Sequence, residues 1–380
     1  MTAYLRAAYA TPFGRQEGSD PIGLMTSAAD RVLDDANLTR GDVDGLICGY
    51  ATTLPHLMLA SLFAESFGLK PTYAHGLQMG GGTGAAMIHL AHILVTSGTC
   101  RSVLVVAGEN RLTGQSRDSS LQTLAQVGHP TREVPTGTIV PAYYALLAAR
   151  YLHDTGATQD DLAALAVLMR RNAARTPGAH LQDLVTEAEV MASRPIATPL
   201  KLLDCCPISD GGAAVLVTAA PGDGPAVALT GAGQAHLHQH VTEAPDDPAL
   251  GARIAVAKAY AEAGISAADV GLLAIYDSFT VTLALLLEAT GISAPGRAGA
   301  EARAGRFNAS GDLPLNTHGG LLSYGHCGVA GAMAHVAETL AQLRGTAGER
   351  QIPNRPTHAL IHGDGGVLSS HVSLVLERVS

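Results

Sequence analysis

The chain has 380 residues, 47% of them hydrophobic and 15% charged, with 43 glycines, no tryptophan and a formal charge of −9. That length fills a large core or two fused half-domains, and the composition excludes a disordered chain. An acidic chain without a basic cluster lacks the Lys and Arg face that phosphate contacts need, and its apolar runs break well short of the ~18 residues that span a bilayer, so neither nucleic acid nor a membrane is an expected partner.

The first six residues carry no apolar signal core, and the expected location is the cytoplasm. The five cysteines (Cys48, Cys100, Cys205, Cys206, Cys327) form an odd set without CxxC spacing, which argues against a disulfide framework or a zinc ribbon.

Taken in chain order, residues 28–37 read as a helix, Leu38-Thr39-Arg40-Gly41-Asp42-Val43 as a turn and residues 45–48 as a strand. Gly80-Gly81-Gly82-Thr83-Gly84 opens an apolar helix over 85–95, followed by a strand over 102–107. Glu109-Asn110-Arg111 then marks a pocket edge or a dimer interface. Residues 110–200 form a long insertion, with helices near 143–153 and 160–174, of the kind that shapes a substrate pocket or a subunit contact. Adjacent Cys205 and Cys206 read as packing residues. A turn-rich junction at 219–225 separates a first half, 1–220, from a second, 221–380. His236-Leu237-His238-Gln239-His240 would put alternate imidazoles on one face of a strand, a possible metal set, but the pattern fits a surface loop or pocket rim better.

The second half repeats the first. Ile265-Ser266-Ala267-Ala268-Asp269-Val270 matches the 38–43 turn at one offset, between a helix over 254–264 and a strand over 272–275. Thr39 and Ser266 suit a cap, since a short hydroxyl accepts a free backbone N–H. Residues 325–331 open a second apolar helix over 332–343, again followed by a strand, 358–361, and a glycine turn. Strands alternating with helices predict mainly parallel sheets covered by helices, an α/β fold.

Three segments carry a family resemblance. Ala7-Ala8-Tyr9-Ala10-Thr11-Pro12-Phe13-Gly14-Arg15 resembles the first strand and turn of thiolases. The run from Pro199 to Ala214, with Cys205-Cys206-Pro207-Ile208-Ser209-Asp210-Gly211-Gly212, is similar to the sterol-carrier-protein-X branch. Asn316-Thr317-His318-Gly319-Gly320-Leu321-Leu322-Ser323-Tyr324-Gly325-His326 resembles the thiolase Asn-x-x-Gly-Gly…Gly-His motif. The resemblance covers essentially the whole chain. It implies the five-layered αβαβα thiolase fold with two pseudo-twofold βαβαβαββ halves, a homodimer or dimer of dimers, and an acyl-CoA thioester as substrate with no separate cofactor or metal.

The departures redirect the chemistry. Thiolases place a nucleophilic Cys at the start of the first-half helix, where the helix N-terminus favours the thiolate. Here Gly81 stands before Gly82-Thr83-Gly84, and the last loop, Ile361-His362-Gly363-Asp364-Gly365-Gly366, lacks the second Cys. Tyr276-Asp277-Ser278-Phe279 replaces the family's Asn or His before the acidic residue. This pattern resembles the Cys-less thiolase-like aldolases of bacterial steroid side-chain degradation. The resemblance implies retro-aldol cleavage of a β-hydroxyacyl-CoA and a small OB-fold/zinc-ribbon companion protein.

A retro-aldol step needs a base for the β-hydroxyl, stabilisation of the enolate oxygen and an acid for the α-carbon. A free Tyr has a pKa near ~10, so a Tyr base needs a neighbouring donor or cation. Tyr276 and Tyr324 are the expected acid/base pair, in unassigned order, with His326 as the supporting group or the oxyanion donor. Asp277, Phe279, Gly365 and Gly366 are expected around the substrate. Each has a plain rival: Tyr276 and Tyr324 as core residues, His326 as a backbone tie, the glycines as a tight turn. Cys327 as a stand-in nucleophile is the weaker idea. Two other functions remain open at this point: thiolase-type acyl transfer, and a non-catalytic acyl-CoA or lipid-binding subunit.

Overall fold

The computed structural model describes residues 2–379. Nine strands form one mixed sheet: β1 (Ala3–Ala10), β2 (Gly45–Gly49), β3 (Tyr73–Leu77), β4 (Ser102–Asn110), β7 (Asp210–Thr218), β8 (Ala226–His236), β9 (Val270–Ile275), β10 (His358–Gly365) and β11 (Ser370–Val379). A short hairpin, β5 (Pro195–Ala197) with β6 (Leu200–Lys201), stands apart. The order β3-β2-β4-β7-β1-β8-β11-β10-β9 sets the two halves side by side. They meet where Ala3 and Tyr4 of β1 pair with Leu229 and Ala228 of β8.

The helices are α1 (Pro21–Asp35), α2 (Leu59–Phe67), α3 (Thr83–Thr96), α4 (Arg117–Ala125), α5 (Val140–Thr155), α6 (Gln159–Ala173), α7 (Glu187–Ala192), α8 (Leu250–Ala263), α9 (Thr280–Ala289), α10 (Ala298–Arg303), α11 (Gly320–Ser323) and α12 (Val329–Arg344). Strand residues alternate between layers, as the two-residue period requires. In the first half Val103, Val105 and Val215 face α3 and α12, whereas Leu104, Val106 and Leu216 face α1 and α2. In the second half Leu272, Ala274 and Ile361 face the same central helices, whereas Leu273, Ile275 and Leu360 face α8 and α9. The layers therefore run α1/α2, sheet, α3/α12, sheet, α8/α9, which is the five-layered αβαβα arrangement.

The repeated turns are chemically equivalent. Asp42 Oδ2 accepts from Thr39 N at 2.8 Å and Oγ1 at 2.7 Å. Asp269 Oδ2 accepts from Ser266 N and Oγ, both at 2.8 Å. The first helix starts earlier than its hydrophobic period indicates: Asp20 accepts from Gly23 N, and Pro21 fills the first turn, where its missing N–H costs nothing.

The halves differ at their outer edges. β3 is a free edge with its central residues exposed. Its second-half counterpart shrinks to one parallel bridge, Leu273 to Leu315. The insertion covers that half instead: Tyr143, Tyr144, Leu147 and Tyr151 of α5 and Leu165 and Met169 of α6 share a core with Leu283, Leu286 and Leu287 of α9.

Candidate active site

Three loops converge at the ends of β9 and β10 and at the start of α3. Asn316 fixes the first. Its side chain pairs with Ile275 as a strand would, Nδ2 donating to Ile275 O and Oδ1 accepting from Ile275 N, each at 2.8 Å. Tyr276 N donates to His362 O at 2.9 Å, so the backbone leaving β9 is held on both sides where it presents the Tyr276 ring.

The second loop carries His326. Its N–H donates to Pro207 O and its carbonyl accepts from Ser209 N, both at 3.1 Å. The 205–209 segment is bound in turn to the first loop, with Cys206 N donating to Ser278 O at 3.0 Å. This scaffold brings the Tyr276 hydroxyl to 3.0 Å from His326 Nε2.

The third element is glycine. A β-carbon on Gly81 would overlap the Tyr276 hydroxyl and lie 2.5 Å from both Cζ of that ring and the Asp364 carbonyl. Tyr276 fills the volume in which a residue-81 side chain would stand. Gly365 faces the Met79 carbonyl just as closely, and Gly366 has φ 72. Gly365 and Gly366 therefore allow the 363–366 strand end to pack on the 79–82 turn; their close approach is to protein backbone.

Burial sets the protonation of the central pair. It holds the Tyr276 phenol well above its ordinary value, with Asp364, Cys206 and Tyr50 acting in the same direction and Arg111 against. Burial, then the Arg111 charge, pushes His326 down to about 3. Phenol and imidazole are both neutral near pH 7, and one proton lies between Oη and Nε2. His326 Nδ1 is buried without a protein partner among the described residues.

Other expected site residues lie elsewhere. The Tyr324 hydroxyl donates to Thr11 O at 3.0 Å, and its ring packs edge-on against Phe13 at 4.7 Å between centroids. Tyr324 belongs to the core around α3 and α12, Tyr276 to the core around α9, so the two hydroxyls do not form a pair. Gly325, at φ 128, separates the directions of Tyr324 and His326. A cavity of about 220 Å³ lies beside Tyr324, lined also by Tyr9, His318, Glu338 and Arg350, and Tyr276 and His326 are not among its walls. Asp277 is fully buried and accepts from Leu321 N at 2.7 Å and Leu322 N at 3.3 Å. It is the anchor of α11. Phe279 is buried at the start of α9, stacked on Tyr144 with centroids 4.4 Å apart.

Residues that sequence reasoning passed over stand closer. The single hydroxyl proton of Tyr144, from the insertion, is shared between Asp364 Oδ2 at 3.1 Å and Gly366 O at 2.9 Å. Burial holds the Asp364 carboxyl well above the usual carboxylate range, so the pair is neutral. Cys327 is buried, and burial beside Glu109 pushes its thiol well above the ordinary value, which removes thiolate nucleophilicity. The three histidines of the 236–240 run diverge: His236 meets Ser370 and Gln234, His238 meets Val367 O, and His240 packs on His129. No group of three His, Cys, Asp or Glu among the described residues is arranged to hold a metal ion. No helix among them is long and apolar enough to cross a membrane.

Comparison with known proteins gives the same picture from outside. Residues 4–220 match the family profile "Thiolase, N-terminal domain", and 233–378 match "Thiolase C-terminal domain-like". A 17-hydroxy-3-oxo-4-pregnene-20-carboxyl-CoA lyase of Mycobacterium tuberculosis is 32% identical, over 89% of this chain and 90% of that protein. A steroid side-chain-cleaving aldolase of Thermomonospora curvata is 29% identical, over 97% and 96%. An acetyl-CoA acetyltransferase of Methanothermobacter thermautotrophicus is also 29% identical, over 95% and 96%. Among solved structures, an Ltp2-ChsH2(DUF35) aldolase superposes with a TM-score of 0.86 at 29% identity, covering 99% of this chain and 98% of its own. The profile matches, the 32% identical lyase and the layered halves converge on one assignment: the chain belongs to the thiolase family.

Proposed function

We propose that the protein is a carbon–carbon lyase that cleaves a β-hydroxyacyl-CoA by a retro-aldol reaction without a covalent intermediate. The observation that carries this reading is the Tyr276 hydroxyl, hydrogen-bonded to His326 and occupying the side-chain volume of residue 81. A thiolase-type acyl transfer needs a nucleophile there, and glycine offers none. The names of the lyase and aldolase relatives support the same reaction class over acyl transfer, and suggest a bulky, steroid-like acyl group.

In the proposed reaction the β-hydroxyl proton passes to Tyr276 Oη as the Tyr276 proton passes to His326 Nε2. The C–C electron pair moves to the thioester as an enolate, and an aldehyde or ketone leaves. The proton held at His326 returns through Tyr276 to the α-carbon, and the pair is neutral again. Tyr276 thus serves as base and acid in turn, with His326 as its proton store. Tyr324 instead braces the 325–326 turn on the segment after β1, through Thr11 O and Phe13.

We further propose a cytoplasmic homodimer that works with a small companion protein. The exposed edge of β3 supports self-association, since its free N–H and C=O groups suit an added strand. The two-name title of the aldolase neighbour supports a companion. Incubating the protein with β-hydroxyacyl-CoA substrates, alone and with a candidate companion, and detecting the released carbonyl compound and shortened acyl-CoA tests the reaction. An acyl adduct in the intact mass after incubation with acetyl-CoA would instead support acyl transfer.

A further inference from the structure

Cleavage leaves a negative charge on the thioester oxygen while the balancing proton sits on His326, whose protonation burial and the Arg111 charge both disfavour. The oxygen itself needs a stabilising cation, and Arg111 is positioned to be one. It follows β4 in a turn fixed by Asp210, whose Oδ1 accepts from Leu112 N at 2.7 Å and Thr113 N at 3.2 Å while Oδ2 accepts from Gln16 N at 3.0 Å. The side chain crosses the loop that carries His326: a β-carbon on Gly328 would lie 3.8 Å from Arg111 Cδ.

Among the described residues no carboxylate forms an ion pair with it. Asp210 spends both oxygens on backbone amides. Glu109 Oε1 accepts from Thr52 N and Oγ1, and Oε2 has no hydrogen-bond partner among the described residues. Arg111 Nε is buried and meets no acceptor among the described residues. A half-buried guanidinium without a directly paired carboxylate costs free energy, which an incoming anion offsets. The cation also favours the Tyr276 phenolate and disfavours protonation of His326, so it lies within electrostatic reach of both.

We propose that Arg111 is a catalytic residue of this site, the cation that receives the enolate oxygen as the thioester substrate is cleaved. The proposal rests on the lyase reading. The bond change is the one already described: the electron pair of the broken C–C bond ends on the thioester oxygen, opposite Arg111, until the α-carbon takes the returning proton.

Acetoacetyl-CoA tests this without any cleavage, because its bound enolate has a near-ultraviolet band. The wild-type protein should show that band at a pH where the free compound shows little. Arg111→Gln should bind the compound but lose the band at least tenfold, Arg111→Lys should keep part of it, and both should melt as the wild type does. In turnover, Arg111→Gln should lower kcat by roughly 10²–10³-fold with KM within a few-fold, the range for a lost oxyanion donor. Equal bands in wild type and Arg111→Gln, or no band in the wild type, would overturn the proposal. A wild-type protein that cleaves no β-hydroxyacyl-CoA would sink the lyase reading instead, and the band comparison would still decide the role of Arg111.

Discussion

The Tyr276 ring and residue 81 compete for one volume: a β-carbon on Gly81 would sit 2.5 Å from Tyr276 Cζ. Gly81→Ala should therefore displace the phenol from His326, abolish turnover and destabilise the protein by about 1–3 kcal/mol, as overpacking does. Adding Tyr276→Asn should return most of the stability and none of the activity. Denaturant unfolding of both single variants and the double variant gives the coupling, and an additive result would contradict the shared volume.

The two tyrosines should separate in kinetics. Tyr276→Phe removes the hydroxyl proposed to transfer the proton and should cost roughly 10²–10⁴-fold in turnover with substrate binding intact. Tyr324→Phe removes a buried bond to Thr11 O. It should lower stability by about 0.5–1.5 kcal/mol and change turnover only a few-fold. Equal losses in the two variants would mean that Tyr324 swings toward the substrate.

Tyr144→Phe leaves Asp364 Oδ2 and the Gly366 carbonyl without their buried donor. A loss of about 1–3 kcal/mol is expected in a chemical melt. A silent variant would show that the insertion does not hold the 363–366 strand end.

Stability should depend on pH through buried groups of opposite sign. Unfolded histidine titrates near ~6.5. Burial holds native His326 at about 3, His371 at about 4 and His318 well below its ordinary value. Below ~6.5 the unfolded chain binds protons that these native residues refuse, so their contribution falls as pH falls. Asp364, with its carboxyl held high by burial, acts the other way: above ~4 the unfolded chain releases a proton that the native carboxyl keeps. His318→Gln should flatten the drop in melting temperature between about pH 7 and pH 5. Asp364→Asn should steepen it. Thermal scans at both pH values that move in the same direction for the two variants would contradict the assignment.

How far the sequence reads depends on the range of the interaction. The 39–42 and 266–269 turns are legible because hydroxyl and carboxylate meet within three residues. The central helices are legible because apolar runs follow glycine turns twice in the same order. The lyase site was half legible. Tyr276 and His326 come from motifs and do meet. Tyr324 is two residues from His326, but Gly325 turns the chain between them, and adjacency in sequence does not set side-chain direction. Asp277 looks like a substrate residue in its motif and is an internal anchor, because backbone amides of α11 reach it first. Tyr144 sits on an apolar helix where nothing local marks it out; only the crossing of α5 onto the second half brings it to Asp364.

That crossing has a consequence for assembly of the chain. Because α5 and α6, encoded before the junction, complete the outer layer over α9, neither half is finished by its own residues. A ribosome-bound chain that has released only residues 1–220 would hold the apolar faces of α5 and α6 bare until α9 emerges. Fragments cut at the junction should be insoluble apart and recover structure only when mixed, so the two halves of the repeat no longer fold as separable units.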